Sequence, residues 1–134
     1  MSKSLIQTAN QSPTPVAVGG TIPLGTVLRR FGCNCRLSGN AVEIEGTGYY
    51  TISGTATLTP NAIGNVSIEV LENTQTIAGA TVTGSVSAVG NSVTLPFETT
   101  VRLGCCCVGA SQLSLVLTEG ASTVEAVSLR VEKV

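Results

Sequence analysis

The sequence predicts an all-β sandwich of two sheets, and three observations carry that expectation. Apolar and polar residues alternate with period two in nearly every segment, the pattern of strands with one buried face. Turn signals such as Ser38–Gly39–Asn40, Gly90–Asn91 and Glu119–Gly120 separate roughly eight to ten short strands at spacings of about 8–15 residues. No stretch shows a sustained helical period with capping residues at its ends.

The first 14 residues are polar, contain Pro13 and read as a flexible N-terminal arm (1–14), which leaves 15–134 as the sandwich domain. Val16–Leu24 reads as a short apolar strand broken by Gly19–Gly20, with Pro23 suited to an edge or bend. Gly25–Leu37 sets Val27, Phe31, Cys33, Cys35 and Leu37 in one alternating register. Ala41–Glu45 alternates Val42 and Ile44 with two glutamates. Gly46–Leu58 follows, the stretch around which the rest is expected to be organised. From Tyr50 onward, Ile52, Gly54, Ala56 and Leu58 share one face, while Thr51, Ser53, Thr55 and Thr57 share the other.

After the loop Thr59–Gly64, Asn65–Leu71 places Val66, Ile68 and Val70 on one face. Glu72–Gln75 turns the chain into Thr76–Val89, where Ala78, Ala80, Val82, Val86 and Ala88 are in register. Ser92–Cys107 is expected to be the longest strand, with Pro96 and Glu98 marking a bend or bulge that splits it. Gln112–Leu117 carries Leu113, Leu115 and Leu117. The last strand, Thr123–Val134, sets Val127, Leu129 and Val131 against Ser128, Arg130 and Glu132.

A chain of 134 residues buries about two-thirds of its surface on folding, enough for one core. With two Phe, two Tyr and no Trp, that core must be built from Val, Ile, Leu and Ala. Charged residues make up 11% of the chain, against about 25% in an ordinary domain. Such a surface is explained by burial in an oligomer or lattice, or by a Thr/Ser-rich polar coat. The seven cations are scattered, which argues against nucleic-acid binding. The absence of His and Asp removes Ser–His–Asp and Cys–His catalysis, His metal sites and the usual calcium loops. No catalytic residue and no cofactor is expected. The start of the chain lacks the apolar core of a signal peptide, and no run reaches the roughly 18 apolar residues of a membrane helix. The expected place of synthesis is the cytoplasm, with thiols reduced at first.

Five cysteines fall in two clusters, Cys33-x-Cys35 and Cys105–Cys106–Cys107. On a strand, Cys105 and Cys107 share the face of Val101 and Leu103, while Cys106 points with Arg102. Core thiols are the leading reading, since buried cysteines behave as small hydrophobes. Bridges between the clusters, each contributing roughly 2–4 kcal/mol, are the second. A Cys33–Cys35 bridge is disfavoured, because extended i, i+2 residues lie about 6.6 Å apart. A zinc site ranks lower, as neither cluster has the usual spacing. A nucleophilic cysteine ranks last, with no His to serve as base. Arg29–Arg30 reads as a solvated or inter-subunit pair ahead of a phosphate dock. Tyr50 reads as core and Tyr49 as interface, ahead of a sugar-stacking platform.

The order of these features resembles the C1q/tumour-necrosis-factor-like jelly-roll family. The stretch SGNAVEIEGTGYYTISGTATL puts Gly48 and Tyr50 in the family's Gly-x-Tyr places. SVTLPFETTVRLG matches a later strand, with Thr99–Thr100 where the family often has Gly-Asp. More narrowly, VAVGGTIPLGTVLRRFGCNCRLSG and ASTVEAVSLRVEKV look like small TNF-like proteins of phages and prophages of Gram-positive bacteria. The resemblance spans roughly residues 16–134. It implies a homotrimer with the strand after Gly-x-Tyr near the threefold axis, and so an interface that includes Tyr49, Thr51, Ser53 and Thr55. The family's calcium sites rely on Asp and are not carried over. The implied role is a non-enzymatic virion component, a head fibre or capsid decoration, attached to a capsid or fibre protein through the N-terminal arm. The alternative is a receptor- or glycan-binding tip of a phage fibre or of a bacterial or spore surface protein. The collagen-like repeat that precedes such heads on spores is missing from this sequence.

Overall fold

The computed structural model describes residues 4–32, 35–45, 48–73, 75–103 and 111–133. Its elements are β1 (Leu5–Asn10), β2 (Thr14–Val16), β3 (Thr26–Phe31), β4 (Cys35–Ser38), β5 (Ala41–Ile44), β6 (Gly48–Pro60), β7 (Gly64–Glu72), β8 (Gln75–Val86), β9 (Val93–Leu103), β10 (Ser111–Glu119) and β11 (Ser122–Lys133). There is no helix among the described residues. The first sheet runs β3-β1-β11-β6-β9, with β2 also paired to β11; the second runs β4-β5-β10-β7-β8. Every pairing is antiparallel. This is a two-sheet jelly-roll sandwich, as expected, with eleven strands in place of the roughly eight to ten read from the pattern.

Alternation along the strands builds the core between the sheets. Ile6, Val131 and Ile52 form one inner row across β1, β11 and β6, and none of the three is exposed. Val127, Ala56 and Leu95 form another across β11, β6 and β9. Leu113, Leu115 and Leu117 of β10 and Val66, Ile68 and Val70 of β7 face them from the second sheet. Tyr50 is the largest fully buried side chain, and its hydroxyl donates to the Glu45 carbonyl at 3.1 Å. Burial of this kind contributes roughly 1.5–3 kcal/mol for each large aliphatic side chain.

Four expectations are corrected. Leu5–Asn10 does not belong to a flexible arm: as β1 it lies inside the first sheet between β3 and β11, with Ile6 and Thr8 fully buried. Polar Gln7 and Thr8 interrupted the apolar alternation that would have revealed it. Val16–Leu24 is not one strand. Of this stretch only Val16, the end of β2, pairs with β11; the chain then crosses to β10, where the Gly19 and Ile22 amides donate to the Leu117 and Leu115 carbonyls. Gly25–Leu37 is two strands in different sheets, β3 in the first and β4 in the second. Lastly, Pro96 and Glu98 do not mark a bulge. β6 and β9 stay in register from Gly48–Leu103 to Leu58–Val93, and Pro96 is tolerated because β9 is an edge strand.

Candidate assembly surface

The outer face of the first sheet follows from its register. One row reads Phe31, Leu5, Glu132, Thr51 and Thr100 across β3, β1, β11, β6 and β9. The next reads Arg29, Gln7, Arg130, Ser53 and Glu98, and a third Thr26, Ala9, Ser128, Thr55 and Pro96. Tyr49, Thr51, Ser53 and Thr55 therefore all lie on the outward side of β6, opposite the buried Tyr50, Ile52 and Ala56. Tyr49 is 55% exposed, and the Arg102 guanidinium of β9 stands over its ring at 6.0 Å. That cation covers one face of the ring, which leaves less of it for stacking on a sugar.

Hydroxyls line β6 and its neighbours. Thr57 bonds Thr94 at 3.1 Å, and Thr59 bonds Ser92 at 2.9 Å and Glu125 at 3.0 Å. Between Ser53, Gly54 and Thr55 of β6 and Pro96, Phe97 and Glu98 of β9 the surface dips into a shallow depression. On the inner side of Gly54, where there is no side chain, the β6 backbone closes on the Ser128 carbonyl and the Phe97 ring lies against it. The period-two pattern put Gly54 on the core face but gave no hint of a depression.

β3 differs from every other strand, since all six of its residues are exposed. Leu28 is 56%, Phe31 53% and Val27 40% exposed. The strand pairs only with β1, along a register that shifts at Gln7/Thr8. Val27 and Phe31 were expected in one alternating register; the shift separates them, so that Val27 pairs with Thr8 and Phe31 with Leu5. A signal was present in the sequence. Arg29 and Arg30 are adjacent, so one of them must point to each side of the strand, and neither side can be dry.

Charge is distributed unevenly between the sheets. On the second, Arg36 sits between Glu43 at 2.9 Å and Glu45 at 3.6 Å, and its hydrogen bond holds the Glu43 carboxyl below the usual range. On the first, Arg130 pairs with Glu132 at 2.7 Å. Arg29 and Glu98, at opposite ends of one row, form no ion pair among the described residues.

Cys35 is a free, buried thiol whose pKa is pushed up to about 11 by burial, with nearby Arg30 pulling weakly the other way. Arg30 Nε donates to the Cys35 carbonyl at 2.6 Å, tying the exposed edge to the second sheet. A thiol held protonated at neutral pH is a poor nucleophile and a poor metal ligand. Cys33, Cys105, Cys106 and Cys107 lie outside the described residues. Among the described residues, no three side chains of metal-binding type come together.

No protein-family model and no curated protein sequence matches the chain. Solved structures do match. Murine APRIL at pH 5.0 superposes with a TM-score of 0.75 at 12% identity, over 99% of this chain and 100% of that one. The globular domain of zebrafish complement 1qA superposes with a TM-score of 0.69 at 5% identity, over 96% and 94%. The PRD1 vertex protein P5 superposes with a TM-score of 0.59 at 13% identity, over 98% and 96%. The fold is thus the TNF/C1q-like jelly roll, shared over essentially the whole chain at sequence identities of 5 to 13%.

Proposed function

We propose that the chain is a non-enzymatic structural module that works as a homotrimer in a virion, as a head fibre or capsid decoration. The observation that carries this reading is the first sheet's outer surface: an exposed apolar edge, β3, and a hydroxyl-lined strip on β6 free of charge from Thr51 to Thr59. Such a surface suits burial against copies of itself, because hydroxyls pair across an interface without the desolvation cost of ions. A closed cyclic assembly covers what one subunit leaves open. The low charge content supports the same reading. The virion role draws its support from the PRD1 vertex protein P5, which has this fold. With no His and no Asp, and with Cys35 held protonated, the chain has little to offer for catalysis. Attachment to a capsid or fibre partner falls to the end of the sandwich where Lys133 N–H meets the Ser4 carbonyl at 2.9 Å, since Leu5–Asn10 is committed to the sheet.

Sedimentation of the unmodified chain at micromolar concentration tests the assembly: a trimer is expected, and a clean monomer defeats the proposal. Ser53→Glu then brings three like charges together near the proposed axis, costs several kcal/mol per trimer and dissociates it. Gene neighbourhood tests the setting, with capsid genes expected and tail-fibre genes favouring a receptor-binding tip.

A further inference from the structure

We infer that the end of the sandwich remote from Ser4 and Lys133 is a lipid-contacting tip, which seats Val18, Ile63 and Val89 in the surface of an electrically neutral bilayer. One short pattern recurs there three times: Ala17-Val18-Gly19-Gly20, Ala62-Ile63-Gly64-Asn65 and Ala88-Val89-Gly90-Asn91. In each, an exposed aliphatic side chain precedes a glycine at positive φ, 86°, 141° and 93° in turn. The first and third are closed turns, in which the Gly20 and Asn91 amides donate to the Ala17 and Ala88 carbonyls at 2.9 and 3.3 Å. Turns ordinarily carry Gly, Pro, Asn, Asp or Ser. These carry Val18, Ile63 and Val89, which are 57%, 64% and 69% exposed.

Strand pairing brings the three turns to one end. Val16 closes β2 and Pro60 closes β6 on either side of Ser122, where β11 begins. Gly64, the first residue of β7, lies opposite Val86, the last of β8. The Gly19 amide donates to the Leu117 carbonyl at 2.7 Å and the Asn61 amide to the Ala121 carbonyl at 3.0 Å. The Thr59 and Ser92 hydroxyls meet at 2.9 Å, so the turns stand side by side. Segments 17–25, 59–65, 87–92 and 120–124 contain no charged residue. The flanking acids Glu119 and Glu125 accept from the Ser67 and Thr59 hydroxyls at 3.3 and 3.0 Å. Glu45, Glu72, Arg102, Glu132 and Lys133 all belong to the other end.

This arrangement favours a bilayer over a protein partner. Aliphatic side chains on three separate turns form points, not a groove. A fluid surface takes in such points, whereas a protein partner must supply a pocket for each. Seating them draws no ion out of water, which is the main cost of entering lipid. Two of the turns have already closed a backbone hydrogen bond, so less unpaired backbone enters the apolar layer. Beside the tips stand the hydroxyls and amides of Thr21, Asn61, Asn91 and Ser92, groups that suit the headgroup layer. With no cation at this end, anionic lipid adds no attraction. A single chain carries all three side chains, so the inference does not rest on the homotrimer reading. It uses the end that the attachment proposed above leaves free.

The chain has no Trp, so one introduced indole reports alone. Ile63→Trp and, at the other end, Tyr49→Trp are each mixed with phosphatidylcholine vesicles and with vesicles that also contain phosphatidylglycerol, at low and at high salt. Emission from Ile63→Trp is expected to move to shorter wavelength on the neutral vesicles, equally at both salts and with no gain from phosphatidylglycerol. Emission from Tyr49→Trp is expected to stay where it is. The unmodified full chain is expected to co-sediment with the neutral vesicles. Val18→Ser, Ile63→Ser and Val89→Ser are each expected to lower its partition coefficient at least about threefold, and the triple variant to abolish binding. All three sites are exposed, so the circular dichroism is expected to be unchanged; should a serine variant fail to fold, the two Trp variants still decide. Neither shift nor co-sedimentation on neutral vesicles overturns the lipid reading and leaves the tip to a protein partner. Binding that needs phosphatidylglycerol and vanishes at high salt overturns it as well, since charge attraction then holds the chain. Neutral binding that survives the triple change, or an equal shift from Tyr49→Trp, overturns the placement at this end.

Discussion

Gly54→Ala is a small substitution with a cost that can be worked from the fold. Gly54 is the inward residue of β6 between Ile52 and Ala56, both fully buried. A methyl group built there overlaps the Ser128 carbonyl oxygen of β11 and comes within 3.0 Å of the Phe97 ring. The carbonyl belongs to the β6–β11 ladder, in the middle of a long antiparallel pairing, and cannot step aside without disturbing its neighbours. Overpacking of this kind costs about 1–3 kcal/mol. The lost flexibility of the unfolded chain returns about 0.4–1 kcal/mol. The net expectation is a loss of about 1–2 kcal/mol. With a urea slope near 1.5 kcal/mol/M, that lowers the unfolding midpoint by about 1 M. Gly84→Ala is the control, because its added methyl meets only side-chain atoms of Leu95 and Val93, at 2.7 and 2.9 Å, which can rotate away. Urea unfolding of both variants, followed by circular dichroism at one fixed protomer concentration, gives the comparison. If Gly54→Ala is as stable as the unmodified chain, or if Gly84→Ala is the more damaging, the close-approach argument is wrong.

Three further outcomes are expected. Thr8 is fully buried, and its hydroxyl has no hydrogen-bond partner among the described residues, so Thr8→Val is expected to raise stability by about 1 kcal/mol; a loss of that size shows that the hydroxyl is satisfied in solution. Cys35 is expected to resist alkylation in the folded protein at pH 8, and rapid modification of a peptide containing it contradicts the burial. The folded state keeps the Cys35 proton up to about pH 11, whereas an exposed thiol loses it near 9, so the unfolded chain binds fewer protons in that window and stability falls as pH rises through it. Cys35→Ala is expected to make that fall shallower, and an unchanged slope assigns the fall to other groups.

The period-two pattern was enough to read an all-β sandwich, because side-chain direction on a strand follows from the sequence alone. Tyr50, Ile52, Ala56 and Leu58 on β6, the leucines of β10 and the valines of β11 are buried as their spacing requires. The outward set Tyr49, Thr51, Ser53 and Thr55 follows from the same rule. Alternation, however, says which residues share a face and says nothing about which strands lie side by side. The Gly25–Leu37 run has one period and two destinations, because the chain leaves the first sheet after Phe31 and enters the second at Cys35. β1 was hidden because its outer face carries Leu5 and Ala9 while its inner face joins Ile6 to Thr8 and Asn10, so polar and apolar residues do not separate with period two. The exposure of β3 and the depression over Gly54 depend on the packing of strands far apart in the chain. So does the placing of Arg29 and Glu98 at opposite ends of one row. Local sequence decided the strands and their faces; the long-range pairing of β3, β1, β11, β6 and β9 decided which faces met, since register between distant strands is set by the contacts they share in the folded state.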